Sequence, residues 1–137
     1  AGMNVTGSCL CGRVRYRIDG EPGPLVYCHC AQCRKAQGVA FAANTPIPVA
    51  AFHLLCGADS LASYRASAEK TRYFCRACGS PMYSHIEGAE SLRLRAGTLD
   101  PGAKLVAVAH IFATSKAGWH DITDPLPQYP GREPGRD

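Results

Sequence analysis

Polar and apolar residues alternate over Arg13-Val14-Arg15-Tyr16-Arg17-Ile18 and stop at Asp19-Gly20, the pattern of a strand with one buried face that ends in a turn. The alternation returns over Ser91-Leu92-Arg93-Leu94-Arg95-Ala96, and Leu99-Asp100-Pro101-Gly102 then marks a turn before the apolar run 105–113. Between them, Leu25 to Tyr27 reads as a short apolar strand and Val39 to Ala43 as another, halted by Pro46 and Pro48. Ala51 to Cys56 and Leu61 to Arg65 are weaker strands, while Lys70 to Phe74 and Met82 to Ile86 flank a cysteine pair. Residues 31–37 alone suggest helix, about one turn of it. The sum is roughly eight to ten short strands, which predicts an all-β fold with little helix.

The chain has 137 residues and is 46% hydrophobic, enough for the core of one domain. That domain is expected over residues 4–123. From Asp124 to 137 the sequence turns Pro-, Gly- and charge-rich, as a tail that drapes over the body or stays disordered would. No run of about 18 apolar residues predicts a membrane span. The first residues lack the basic and apolar segments of a secretory signal, and Ala1-Gly2 reads as a remnant added ahead of Met3. The expected compartment is the cytoplasm.

Seven of the eight cysteines fall into three clusters: Cys9-x-Cys11, Cys28-x-Cys30-x-x-Cys33 and Cys75-x-x-Cys78. Thiolates this close in sequence converge readily on a tetrahedral ion at Zn–S distances near ~2.3 Å and rarely form disulfides with one another. Cys9, Cys11, Cys75 and Cys78 would close a Cys₄ structural site around one Zn²⁺. Cys28, Cys30 and Cys33 would hold a second Zn²⁺ with one position open, where chemistry is possible, and so are the candidate catalytic residues. Two knuckle loops fit this reading, and Gly79 suits the left-handed turn such a knuckle needs. Two zinc ions and seven ligand thiolates take the formal charge of +4 to about +1, which removes most of the electrostatic case for nucleic acid. The alternating Arg13, Arg15 and Arg17 read as a solvated strand face.

The segments Gly7-Ser8-Cys9-Leu10-Cys11-Gly12-Arg13-Val14-Arg15-Tyr16, Cys28-His29-Cys30-Ala31-Gln32-Cys33-Arg34, Phe74-Cys75-Arg76-Ala77-Cys78-Gly79 and His110-Ile111-Phe112-Ala113-Thr114-Ser115-Lys116-Ala117-Gly118-Trp119 together resemble the glutathione-dependent formaldehyde-activating enzyme family, whose domain is shared with centromere protein V. The resemblance implies a β-tent of twisted antiparallel sheets. It also implies the same division into a structural zinc and a catalytic-type zinc, with a small thiol such as glutathione as partner. The expected activity is that of a carbon–sulfur lyase, glutathione plus formaldehyde giving S-(hydroxymethyl)glutathione.

The chemistry suits the ligands. Coordination deprotonates a thiol whose free pKa is near ~8.5, and the sulfur can then attack a carbonyl carbon. Three thiolates weaken the ion's Lewis acidity, which argues against a hydrolase. A peptide-like thiol needs partners for its carboxylates, for which Arg34, Lys35 and Lys116 are candidates, with Trp119 as an apolar wall. Against this, Arg34 and Lys35 read equally as exposed helix charges, and the lone Trp119 reads as a core plug. His29 is read as a group behind the ligands or in solvent, His110 as a buried, satisfied histidine, and Cys56 as a small buried hydrophobe. Two other classes stay open: a non-catalytic zinc module that binds protein or nucleic acid, and a thiol-redox or disulfide protein, for which neither an oxidising compartment nor a thioredoxin-like pattern is visible.

Overall fold

Side chains of Val14, Tyr16 and Ile18 enter the core while Arg13 and Arg15 face solvent, so the first alternating stretch does form a half-buried strand. The computed structural model describes residues 4–135, and the expected added remnant at Ala1-Gly2 lies outside them. Among the described residues ten strands are formed: β1 (Val5–Ser8), β2 (Arg15–Ile18), β3 (Leu25–Cys28), β4 (Ala42–Pro48), β5 (Phe52–Cys56), β6 (Leu61–Arg65), β7 (Lys70–Cys75), β8 (Pro81–Ile86), β9 (Ser91–Arg95) and β10 (Ala107–Ile111). One α-helix, α1 (Ala31–Gln37), joins them. The protein is all-β with little helix.

The strands make two sheets. A three-stranded sheet has the order β1-β2-β5, and a seven-stranded sheet has the order β10-β3-β4-β9-β8-β7-β6. Neighbours are antiparallel except β10 and β3, which run parallel. The larger core cluster gathers Val14, Tyr16, Ile18, Ile47, Met82, Leu92 and Leu94 around Cys9 and Cys75. A smaller cluster of Val26, Ala42 and Ile111 surrounds Cys28 and Cys33. Each thiol cluster is therefore rooted in apolar packing, so burial of the sheet faces also fixes where the sulfurs stand.

Several expectations are corrected. Strand β4 begins at Ala42 and continues through Pro46 and Pro48. It pairs with β9 along 44–48 but with β3 only along 42–44, so both prolines lie where the β3 side of β4 is already free of a ladder partner. Strand β1 carries Gly7 and gave no strand signal. A Cβ at that glycine would stand 2.2 Å from the Tyr16 hydroxyl and 2.5 Å from the Thr98 carbonyl oxygen, so close approach across β1 and β2 requires glycine there. Cys56 is exposed at the end of β5 rather than buried, and Trp119 is 76% exposed rather than a core plug.

The C-terminal segment drapes over the body. His110 and Phe112 donate backbone bonds to Pro127 and Gly131, and Tyr129 exchanges bonds with His110 and Ala113. This strap lies along β10, and Arg93 pairs with Glu133 at 3.2 Å near its end.

Candidate functional site

Two knuckles bring the first four thiols together. Cys9 accepts a backbone bond from Gly12 at 3.2 Å and donates one to the Val14 carbonyl at 3.0 Å, while Gly79, at φ +80°, donates to Cys75 at 2.8 Å. All four sulfurs lie within 4.8 Å of one another. The Cys9–Cys11 and Cys11–Cys75 separations are 3.6 and 3.8 Å. A tetrahedron with metal–sulfur bonds of ~2.3 Å has edges of about 3.8 Å, whereas a disulfide would need ~2.05 Å. All eight cysteines are free thiols. The Cys78 thiol is lowered to about 5, chiefly by the Ser80 hydroxyl 3.2 Å away, and the same hydroxyl accepts from the Leu10 amide at 2.9 Å. The donor set fits a soft or borderline ion such as zinc.

Cys28, Cys30 and Cys33 converge in the same way, their sulfurs within 4.8 Å of one another. Cys28 ends β3, and Cys30 caps α1 by accepting from the Cys33 amide at 3.3 Å. Gly38, in the left-handed conformation, ends the helix about two turns later. Among the described residues no fourth His, Cys, Asp or Glu ligand atom joins the trio. Hydrogen bonds with Cys28 and Cys30, then Arg72 and the nearby Arg95, pull the Cys33 thiol far below its ordinary range against the burial that opposes them. Cys28, facing Cys30 and Cys33, is pushed far above that range. Cys33 stands on the side of the trio where the cations lie.

Those cations come from the sheet and gave no signal beside the cysteines. Arg72 of β7 donates to the Cys33 sulfur at 3.7 Å and to Gln32 Oε1 at 3.4 Å. Arg95 of β9, only 4% exposed, donates to Asn44, the Arg93 carbonyl and Ser84 at 3.0 to 3.2 Å. None of those partners is charged, while the Cys33, Cys28 and Cys30 sulfurs lie close enough to favour the charged guanidinium. Lys70 lies on the same face of β7 as Arg72, and burial followed by repulsion from Arg72 lowers its pKa. The alternation in Lys70-Thr71-Arg72 was the available signal, since it puts two cations on one face of a strand leading into a ligand pair.

Behind the trio, neighbouring side chains point to opposite faces, and His29 turns away from Cys28 and Cys30. It is fully buried, which overturns its solvent reading, and its Nε2 is 2.8 Å from His110 Nδ1. His110 Nε2 in turn lies 2.9 Å from the Asp124 carboxylate. The Asp124 carboxylate accepts from His110 Nε2, and one proton is shared between His110 Nδ1 and His29 Nε2. His29 Nδ1 is buried without a hydrogen-bond partner. Burial, then the His110, His120, Lys116 and Arg34 charges, lower the His29 pKa to about 4.

The candidate contacts divide between two faces. Lys35 lines a cavity of about 650 Å³ together with Arg72 and Arg95, next to Cys33. Lys116 and Arg34 lie on the His29 side. The Lys116 ammonium is held by the His120 and Ala117 carbonyls at 2.7 and 3.3 Å, and the Arg34 Nε is buried without a partner. Phe112, with φ +52°, turns the chain after β10 and starts the short helix 113–115 that brings this segment over His29. Trp119 projects into solvent.

The fold and the two clusters define a small β protein built on convergent thiol centres, one closed by four sulfurs and one left with three. Residues 4–115 match the sequence profile of the glutathione-dependent formaldehyde-activating enzyme family, and the chain belongs to that family. It is 26% identical over 125 residues to an Aspergillus flavus protein provisionally named glutathione-dependent formaldehyde-activating enzyme, covering 90% of this chain and 57% of that one. A Halomonas elongata protein of the same provisional name is 32% identical over 87 residues, 59% of this chain and 55% of that one. The chain thus spans little more than half the length of these curated relatives. A crystal structure of a Rhodobacter sphaeroides protein shares the fold, with a TM-score of 0.61 at 19% identity over 90% of this chain and 98% of that one.

Proposed function

We propose that the protein is a zinc-dependent carbon–sulfur lyase-type enzyme acting on a thiol adduct, with glutathione plus formaldehyde giving S-(hydroxymethyl)glutathione as the reaction the relatives' names suggest. One observation carries the reading: three sulfurs converge without a fourth protein ligand atom among the described residues, beside a cavity lined by cations. A Zn²⁺ ion held by Cys28, Cys30 and Cys33 would supply an open tetrahedral position at which a thiol binds as its thiolate. Cys9, Cys11, Cys75 and Cys78 would hold the structural ion.

The chain's own residues position and compensate charge. Arg72 and Lys35 face the cavity, where a carboxylate of the thiol would pair with them. Arg95 and Lys70 add positive charge beside the sulfurs. His29, tied through His110 to Asp124, fixes the strand end that carries Cys28 and Cys30. Lys116 braces the loop over His29 through two carbonyls, Arg34 supports the same face, and Trp119 stands outside as a surface a longer substrate can reach. In the forward reaction the substrate sulfur bonds to the carbonyl carbon, and the thiol proton ends on the carbonyl oxygen. The reverse reaction breaks the same carbon–sulfur bond.

No helix of the described residues is long and apolar enough to cross a membrane. We place the protein in the cytoplasm, where thiols are kept reduced. The test is cobalt substitution followed by glutathione titration. The reading expects a saturable change in the sulfur-to-cobalt charge-transfer band and faster loss of free formaldehyde in the zinc form. An unchanged band with glutathione and every other thiol would replace it with a closed, non-catalytic metal module.

A further inference from the structure

The cavity beside Cys33 is larger and more aromatic than a one-carbon electrophile requires. Its volume of about 650 Å³ lies in the range that encloses drug-sized ligands. Tyr73 and Tyr83 face each other across β7 and β8, with ring centroids 4.6 Å apart and planes 19° from parallel. Phe74 and Pro81 extend the wall, and Tyr64 stands at its rim, 65% exposed.

Charge at this cavity has one sign. Arg72, Arg95 and Lys35 line it, and no Asp or Glu does. Arg95 is committed to Asn44, Ser84 and the Arg93 carbonyl. Both bonds of Arg72 leave from Nη2, so its Nη1 can still donate a single charge-assisted bond to a carboxylate, beside the Lys35 ammonium.

We propose that this cavity binds a flat, aromatic-sized group bearing a carboxylate, and that this group is the carbon body of the substrate whose sulfur or adduct meets the three-thiol centre. The second clause rests on the carbon–sulfur reading; the cavity and its ligand class do not. Formaldehyde alone would leave the tyrosine walls unfilled. A tripeptide thiol brings an ammonium group for which the lining holds no carboxylate. An aromatic acid matches both features at once, with offset stacking on Tyr73 or Tyr83 and an ion pair to Arg72.

The test uses a probe without sulfur, so it does not depend on the metal centre's chemistry. 3-Phenylpropionate is titrated into the zinc-loaded full chain while the tyrosine ring resonances are followed by NMR, with neutral 3-phenylpropionamide and glutathione in parallel. The proposal expects saturable shifts at Tyr73 and Tyr83, with the acid binding at least tenfold more tightly than the amide. Arg72→Gln removes that difference, Arg72→Lys keeps part of it, and Tyr64→Ala weakens both ligands. Equal binding of acid and amide, no shift at either tyrosine, or displacement of the acid by a lower concentration of glutathione would each overturn it. The wild-type comparison stands even if an Arg72 variant fails to fold. A silent cobalt spectrum with all thiols would remove the carbon–sulfur reading and leave the cavity result intact.

Discussion

Replacing Arg95 by Met tests whether the guanidinium is a structural counter-charge to the thiol centre. The side chain is 4% exposed, and burial lowers its pKa to about 10 while the Cys33, Cys28 and Cys30 sulfurs pull the other way. It makes three hydrogen bonds of 3.0 to 3.2 Å. Bonds from a charged donor are worth ~1.5–3 kcal/mol each, and methionine returns some packing but strands the buried Asn44 Oδ1 and Ser84 Oγ at ~1–3 kcal/mol apiece. Desolvation of the guanidinium, relieved in the variant, offsets part of this. The net expected loss is about 3–5 kcal/mol, the range for breaking one side of a buried charge arrangement. That is a large share of the ~5–15 kcal/mol that holds a domain folded. The assay is urea denaturation of the zinc-loaded protein followed by far-UV circular dichroism, since the exposed Trp119 is a poor fluorescence reporter. Arg95→Lys, which keeps the charge and loses the fork, should fall between wild type and Arg95→Met. An Arg95→Met protein within ~1 kcal/mol of wild type would refute the reasoning.

Metal content separates the two centres: Cys33→Ser should lose one zinc per chain and keep its fold, while Cys75→Ser, rooted in the larger core, should lose one zinc and the cooperative unfolding transition. Elemental analysis with circular dichroism checks this, and equal unfolding of both variants would contradict it. Gly7→Ala puts a methyl 2.2 Å from the buried Tyr16 hydroxyl and should cost about 1–3 kcal/mol in urea denaturation; an unchanged midpoint would rule out the close packing. Asp124 is held below the ordinary carboxylate range, first by its bond to His110. An acid with a lower folded pKa binds fewer protons when folded, so its contribution is complete above about pH 4 and fades as pH falls through the lowered value. Asp124→Asn should therefore flatten the acid side of a melting-temperature series below about pH 4, and an unaltered acid limb would exclude the tether.

What the sequence disclosed was local, and what it concealed depended on register. The helix at 31–37 was legible because the thiols placed to hold an ion also cap the helix, through Cys30 at its start. The strand β2 was legible because Val14, Tyr16 and Ile18 share one buried face. Strand β9 shows where that logic stops. Strict alternation assigns Arg95 to the outer face with Arg93, yet Leu94 and Arg95 are both buried. Arg95 stands opposite Asn44 on β4, with Ser84 of β8 in reach, and that three-strand meeting cannot be read from β9 by itself. The same limit hid a further cation: Arg34 and Lys35 stand next to the triplet in sequence, whereas Arg72, which touches Cys33, arrives from β7. Ligand spacing within a few residues is fixed by the turn that carries it. Its compensating charges need only be close in space, so they can come from any strand whose pairing brings a cation to the sulfur, and only the folded sheet says which one does.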